Sequence, residues 1–145
     1  MSQENVELIK ALYPEPHADI AELFRDDDAF AQLREVLGPL LTDDFESVMH
    51  GGVIQNRTHA GLEGFRRNWL DWLEPWETYR STIDELIDAG DDVVLLLRDY
   101  GRRKGTDREV EVIGASVATF REGKLARWVD YADRVEALEA VGLRE

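Results

Sequence analysis

The sequence contains no cysteine, and several other scarce features narrow what the chain can do. Without cysteine, disulfide bonds, thiolate metal sites and cysteine nucleophiles are excluded. The three histidines, His17, His50 and His59, lack helical or turn spacing, so we expect no metal site and no cofactor. No glycine run matches a phosphate-binding or dinucleotide-binding fingerprint, and no serine lies in a nucleophile-elbow context.

Basic residues are also few: the chain has 17 Lys and Arg against 31 Asp and Glu, which gives a net charge of −14. Phosphate backbones and anionic membranes repel such a chain, so we expect no nucleic-acid partner and no membrane partner. No apolar run approaches the ~18 residues of a membrane span, and the N-terminus MSQENVELIK is polar. We therefore expect a cytoplasmic protein with one domain over residues 1–145.

Residues 110–133 predict two long strands joined by a tight turn, and the rest of the chain is organised around them. Gly123 suits a left-handed turn position, which only glycine fills cheaply. We favour a three-residue loop that pairs Phe120 with Lys124 and Ser116 with Trp128. A two-residue Glu-Gly loop is the alternative and would shift the pairing by one residue.

The favoured register gives this hairpin two different faces. The first face carries Gly114, Ser116, Ala118, Trp128 and Asp130. The second face is apolar and carries Ile113, Ala115, Val117, Leu125, Val129 and Tyr131. Small residues opposite a tryptophan and a carboxylate predict a pocket, whereas the second face predicts burial against something broad.

Three helices are predicted before the first strand. The first begins at Ser2 and ends before Pro14, the second opens at Asp19, and the third follows the acidic run 26–28 and stops at Gly38. The later elements are a strand at 45–50, a loop to residue 57, a helix capped by Thr58, strands at 76–88 and 93–97, and a last helix from Asp133 to Gly142. Helices segregated from a meandering antiparallel sheet predict an α+β fold.

Five segments in this order resemble the nuclear-transport-factor-2-like superfamily, and more closely its SnoaL-like branch, which is related in fold to ketosteroid isomerase and polyketide cyclases. The segments are SQENVELIKALY, THAGLEGFRRNWLDWLEPWE, DELIDAGDDVVLLLRDYGRRKG, ATFREGKLARWVDY and DRVEALEAVGL. The resemblance covers nearly the whole chain, although residues 14–41 are longer than expected. It implies a cone in which a strongly curved antiparallel sheet wraps around N-terminal helices and encloses a mostly apolar pocket. It also implies a homodimer through the convex sheet face, for which the apolar second face is the candidate interface.

The resemblance further implies catalytic candidates, because enzymes of this fold transfer protons next to a carbonyl with carboxylate, Tyr or His groups inside the cavity. Asp130 matches the Asp of the cyclase branch, and Ser116 stands where that branch has a His. His50 and Tyr13 fall near the general base and the carbonyl-polarising Tyr of the isomerase. Ordinary packing is the competing interpretation of His50 and Tyr13.

Further residues are candidates for ligand contacts. Trp128 and Ser116 flank Asp130, and Trp69 lies on the inner face of its helix, where core packing is the alternative role. Arg98 and Tyr100 share one side of their strand and are expected at the cavity mouth, with a surface ion pair as the alternative for Arg98.

Three functional hypotheses follow from the sequence. The first is a small-molecule-binding protein for an organic ligand, and the second is an acid–base isomerase, cyclase or lyase using Asp130 with His50 or Tyr13. The third is a dimerisation module whose cavity is filled by Trp69, Trp72 and Trp128. Two polar groups meeting at one cavity would favour the enzyme.

Overall fold

The computed structural model describes residues 2–50 and 57–143, so most of the predicted loop after the first strand lies outside the described residues. The helices are α1 (Ser2–Leu12), α2 (Ile20–Arg25), α3 (Asp27–Leu37), α4 (Gly61–Leu73) and α5 (Arg134–Ala140), with a short 3-10 turn at Gly38–Leu40. The strands are β1 (Leu41–His50), β2 (Arg57–Ala60), β3 (Trp76–Ala89), β4 (Asp92–Arg103), β5 (Glu109–Arg121) and β6 (Lys124–Tyr131).

Helices α2 and α3 begin directly after aspartate residues, where the sequence predicts their starts. The carboxylate of Asp19 accepts the backbone N–H of Ala21 at 3.0 Å and that of Tyr79 at 3.1 Å, so it both caps α2 and ties that helix to β3. The carboxylate of Asp26 accepts the N–H of Ala29 at the start of α3. These two predicted helix starts are confirmed.

The predicted cap at Thr58 is wrong. Thr58 lies in β2, where it pairs with Val48 of β1, and α4 begins at Gly61 after Ala60, which makes no side-chain cap. Pairing with a distant strand therefore outweighs a local capping preference at this position.

The strands of the described chain form one open sheet in the order β2-β1-β6-β5-β4-β3. Only the β1–β6 pair among these is parallel. On one face, here called the inner face, Val6 and Ile9 of α1 pack against Leu95 of β4. On the outer face, Leu138 of α5 packs against Leu96 of β4. Helices grouped against an open, mostly antiparallel sheet confirm the predicted α+β class.

The turn between β5 and β6 differs from the favoured prediction. Arg121 pairs with Lys124, so the loop has two residues, Glu122 and Gly123, both with positive φ (54° and 81°). Positive φ at both central positions is the conformation of the tight hairpin turns that match strand twist. The three-residue loop is therefore wrong and the two-residue alternative is right.

A bulge beyond the turn restores the predicted pocket face. Phe120 pairs with Leu125, but Thr119 pairs with Arg127, so Ala126 is an extra residue in β6. The loop and the bulge each shift the register by one residue, and the combined shift of two preserves the alternation. Ser116 consequently pairs with Asp130 rather than with Trp128, and both still share the inner face.

Leu125 is the exception to this compensation, because it precedes the bulge. It packs with Phe120 in the inner core and does not belong to the apolar second face. That second face is also partly covered by the chain itself, because Ala115 and Val117 pack against Leu138 of α5. Arg134 fixes this helix by donating to the carbonyl oxygen of Leu97 at 2.7 Å.

Candidate functional site

Asp130 lies on the inner face of β6 with its carboxyl group only half satisfied. Ser116 Oγ donates to its Oδ1 at 2.5 Å, and Trp128 Nε1 donates to the same oxygen at 3.0 Å. Its Oδ2 is buried and has no hydrogen-bond partner within the described residues. Burial raises the pKa of Asp130 to about 6, against the two donors, and the charge of Asp99 raises it further.

Asp99, on β4, is a second buried carboxyl group and only 8% exposed. Ser81 Oγ donates to its Oδ1 at 2.5 Å, and Tyr79 Oη donates to its Oδ2 at 2.8 Å. Burial raises the pKa of Asp99 to about 6, while the two hydroxyl donors and the charge of Arg134 act in the opposite direction. Each oxygen of Asp99 therefore has one neutral donor.

A chain of hydroxyl groups connects Asp99 to Tyr13, the residue directly after α1. Tyr13 Oη lies 2.6 Å from Ser81 Oγ. Because the Ser81 proton is directed at Asp99, Tyr13 is the donor in this contact. Burial raises the pKa of Tyr13 well above its usual value, and the charges of Asp99 and Asp130 add to that effect. Tyr13 is thus a neutral donor, and the chain runs from Tyr13 through Ser81 to Asp99.

Both carboxyl groups line one cavity of about 130 Å³. Trp69 and Trp72 of α4 and Tyr79 of β3 form aromatic walls of the same cavity. No Lys or Arg side chain lines it in the part of the chain that the structure describes. This volume greatly exceeds the ~30 Å³ share of one water molecule. The cavity can therefore hold an organic group beside two acids that have no Lys or Arg neighbour in its described wall.

A second cavity of about 90 Å³ lies between α1, α2, α3, α4 and β6 and is almost wholly apolar. Tyr13, Trp69 and Trp128 line it, and Trp69 lines the first cavity as well. The polar edges of Tyr13 and Trp128 point away from aliphatic surroundings to Ser81 and Asp130. The segment 14–41, which is longer than the family resemblance leads us to expect, contributes much of this wall, including Leu23, Leu33 and Leu37.

The fold brings together Ser116, Trp128 and Asp130, as the sequence predicts, and places Tyr13 and Trp69 next to them. His50 also lines the first cavity, with 39% of its side chain exposed. Its Nε2 lies 3.6 Å from a carboxylate oxygen of Glu136, and its ring packs edge-on against Tyr131. The described donors to Asp130 are Ser116 and Trp128 and not His50, so the structure does not assemble this predicted pair.

Arg98 and Tyr100 do not line the cavity, and their predicted place at its mouth is wrong. They flank Asp99 on β4, and successive side chains on a strand point to opposite faces. Arg98 forms ion pairs with Asp84 at 3.0 Å and Glu111 at 2.9 Å, as the alternative interpretation held. The guanidinium of Arg80 lies 4.2 Å from the ring centre of Tyr100.

Asp99 is the site residue that the sequence interpretation missed. Its signal was present, because Val93, Leu95 and Leu97 alternate along the inner face and Asp99 continues that alternation. Residues 93–97 are all apolar, so the sequence does not show which alternate side chains of this strand face inward.

The family model of the SnoaL-like domain matches residues 21–128. The chain belongs to the SnoaL-like domain family. The fold is the nuclear-transport-factor-2-like cone, which confirms the predicted class. No curated protein matches the chain.

Solved structures similar to this SnoaL-like protein share its fold over most of its length. A candidate SnoaL-like polyketide cyclase from Jannaschia sp. has a TM-score of 0.66 and 19% identity, covering 99% of this chain and 94% of that one. TerC, crystallised with polyporic acid, has a TM-score of 0.64 and 22% identity, covering 95% and 98%. A Catenulispora acidiphila protein with a ketosteroid isomerase-like fold, in complex with trimethylamine, has a TM-score of 0.57 and 24% identity, covering 90% and 95%.

Among the described residues of this SnoaL-like protein, no helix has the length and apolar character needed to cross a membrane. The same residues contain no group of three or more acidic or His side chains placed to hold a metal ion.

Proposed function

We propose that this SnoaL-like protein binds a small organic molecule in the cavity of Asp99 and Asp130, and that Asp130 transfers a proton next to a carbonyl group of that molecule. The observation that supports this most is the convergence on one cavity of the buried Asp99 and of Asp130, whose Oδ2 atom is buried. An acid–base enzyme needs polar groups that converge on its substrate. Without such a role, two acids beside an apolar pocket would only cost free energy of desolvation.

In this proposal Asp130 is the base. Its Oδ2 has no partner in the described structure, so it can accept a proton from the carbon next to the carbonyl. The C–H electron pair then forms an enolate, and Asp130 returns the proton to carbon or to the position where the product requires it. A pKa of about 6 makes the group a stronger base than an ordinary aspartate while leaving it largely ionised at neutral pH.

Asp99 has the complementary role of hydrogen-bond donor to the enolate oxygen. It lines the same cavity and retains its proton to a higher pH than an ordinary aspartate, because burial raises its pKa to about 6. Two carboxyl groups in one low-dielectric site disfavour simultaneous ionisation, so the pair with one charged and one neutral group is the active state without a bound cation, whereas a bound cation favours ionisation of both. The Tyr13–Ser81 chain holds Asp99 in place.

Proton transfer can be tested without knowing the natural substrate. Exchange of the protons next to the carbonyl in a panel of small cyclic and aryl ketones would be followed by NMR in D₂O. We expect the wild type to accelerate exchange of at least one ketone, and Asp130→Asn to lose about 10²-fold or more of that acceleration. Asp43→Asn is the matched control, because it removes the same charge from an exposed position on β1. Exchange by Asp130→Asn at the wild-type rate would refute the proposal.

Binding without turnover is the second candidate function. The apolar cavity beside Tyr13 and Trp128 favours it, since its described lining offers contact area but no carboxylate and no basic side chain. Measured binding of a ketone in the absence of any exchange would select this candidate. The one-domain organisation, the homodimer and the cytoplasmic location remain predictions from the sequence. Sedimentation of the purified protein tests the homodimer.

A further inference from the structure

The first cavity has two acidic side chains in its described wall. Asp99 and Asp130 both line it, and no Lys or Arg does so among the described residues. Buried charges in proteins are normally paired, because the cost of removing an ion from water is several kcal/mol. An occupant that brings positive charge would supply the missing partner.

Other groups near the two acids do not neutralise them. Ser81, Tyr79, Ser116 and Trp128 are neutral donors. Arg134 lowers the pKa of Asp99, but its guanidinium is committed on the α5 side to Asp84 at 2.8 Å and to two carbonyl oxygens.

Within the described lining of the cavity, His50 is the only basic side chain; its Nε2 lies 3.6 Å from a carboxylate oxygen of Glu136, and 39% of the side chain is exposed. Tyr131, also in the lining, has a raised pKa and therefore stays neutral. The rest of the described lining therefore offers two acids and neutral groups.

Aromatic walls complete the arrangement. Trp69, Trp72 and Tyr79 line the same cavity as the two acids. Aromatic rings attract alkylammonium groups through their negative faces, and this attraction grows when the cation is removed from water. Neutral ketones or alcohols gain nothing from the carboxylates beyond a hydrogen bond.

We propose that the ligand of this cavity carries a compact ammonium group, which lies between the aromatic walls and the carboxylates of Asp99 and Asp130. The inference depends on the proposed function only in taking this cavity as the binding site. It names the chemical class of the ligand, an organic cation, and holds whether or not the ligand is turned over.

Choline and its neutral carbon analogue, 3,3-dimethylbutan-1-ol, form the test pair. They differ in shape very little and in charge by one, and the quaternary nitrogen does not titrate. Isothermal titration at constant ionic strength, near pH 7.5, should show choline binding about tenfold or more tightly than the alcohol. Tetramethylammonium, which lacks the hydroxyl group, should retain that preference.

Two variants and one control test whether the carboxylates of the cavity cause the preference for a cation. Asp130→Asn and Asp99→Asn should each weaken choline binding about tenfold, whereas Asp43→Asn, with the same loss of net charge at an exposed site, should not. Lowering the pH from about 7.5 to about 5.2 should weaken choline binding but not alcohol binding, because protonation removes the carboxylates.

Equal affinity for choline and the alcohol would overturn the inference, as would wild-type affinity in both cavity variants or the absence of saturable binding by either cation. The ketone-exchange experiment tests the proposed acid–base function separately from the ammonium ligand. Exchange without cation preference keeps the proposed acid–base function and rejects the ammonium ligand. Cation preference without exchange does the opposite.

Discussion

Replacing Asp130 with asparagine should make the folded protein more stable at neutral pH, although it removes the candidate base. The folded-state pKa is about 6, whereas the reference value is 3.8. The folded protein therefore binds the proton more tightly than the unfolded chain does. The free energy of unfolding consequently falls as the pH rises from 3.8 to about 6, and it levels off at higher pH.

The size of this cost follows from the shift in pKa. A difference of about 2 pKa units corresponds to about 3 kcal/mol at neutral pH, an upper value for one group. Asparagine keeps a carbonyl oxygen for Ser116 and Trp128, but its NH₂ group takes the place of the unpartnered Oδ2. An unsatisfied amide donor costs about 1–3 kcal/mol. We therefore expect a net gain of up to about 2 kcal/mol for Asp130→Asn near pH 7.5.

The assay is urea unfolding, monitored by tryptophan fluorescence, at a series of pH values from about 5.2 to 7.5. This range stays above the isoelectric point of about 4.6, where solubility is lowest. The wild type should lose stability as the pH rises, and Asp130→Asn should lose distinctly less. Asp43→Asn should follow the wild-type slope. If Asp130→Asn shows the wild-type slope, the reasoning is refuted, whatever the absolute stability of that variant.

Three further predictions concern the surroundings of the site. Ser81→Ala removes one of the two donors to Asp99, so it should raise the pKa of that carboxyl group and destabilise the fold by about 1–3 kcal/mol, measured by carboxyl NMR and urea unfolding; an unchanged titration would contradict this. Gly64→Ala would place a methyl group 2.5 Å from the His59 Cβ and 2.7 Å from its backbone carbon, so thermal unfolding should show a loss of about 2 kcal/mol or more, and an unaltered melting temperature would argue against this packing. Arg134→Ala should release α5 from the sheet, detectable as faster amide exchange in that helix alone, and uniform protection would count against the anchoring role.

Local patterns predicted those elements whose causes are local. Asp19 and Asp26 cap their helices because each side-chain oxygen accepts an otherwise unpaired backbone N–H two or three residues further along the chain. Both partners of such a cap lie within a short stretch of sequence, so the sequence alone predicts it. The inner faces of β5 and β6 follow from strand alternation, which places Ser116 and Asp130 together even though the predicted register is wrong.

Non-local causes account for the errors. Glu122 adopts a left-handed conformation (φ 54°), which is uncommon for a non-glycine residue and which composition alone does not favour. Ala126 forms a bulge that is visible only in the pairing of two strands. Thr58 joins β1 instead of capping a helix, and the inward direction of Asp99 depends on which face of a uniformly apolar strand is buried by helices.

The most direct test of the account is the titration of the Asp130 carboxyl group itself. Carbon-13 NMR of aspartate-labelled protein, assigned by comparison with Asp130→Asn, would follow its carboxyl resonance between about pH 5 and 8. We expect a midpoint near 6, as for a carboxyl group buried beside Asp99 in the cavity. A resonance already fully ionised at the lowest pH, as for the reference value of 3.8, would contradict it.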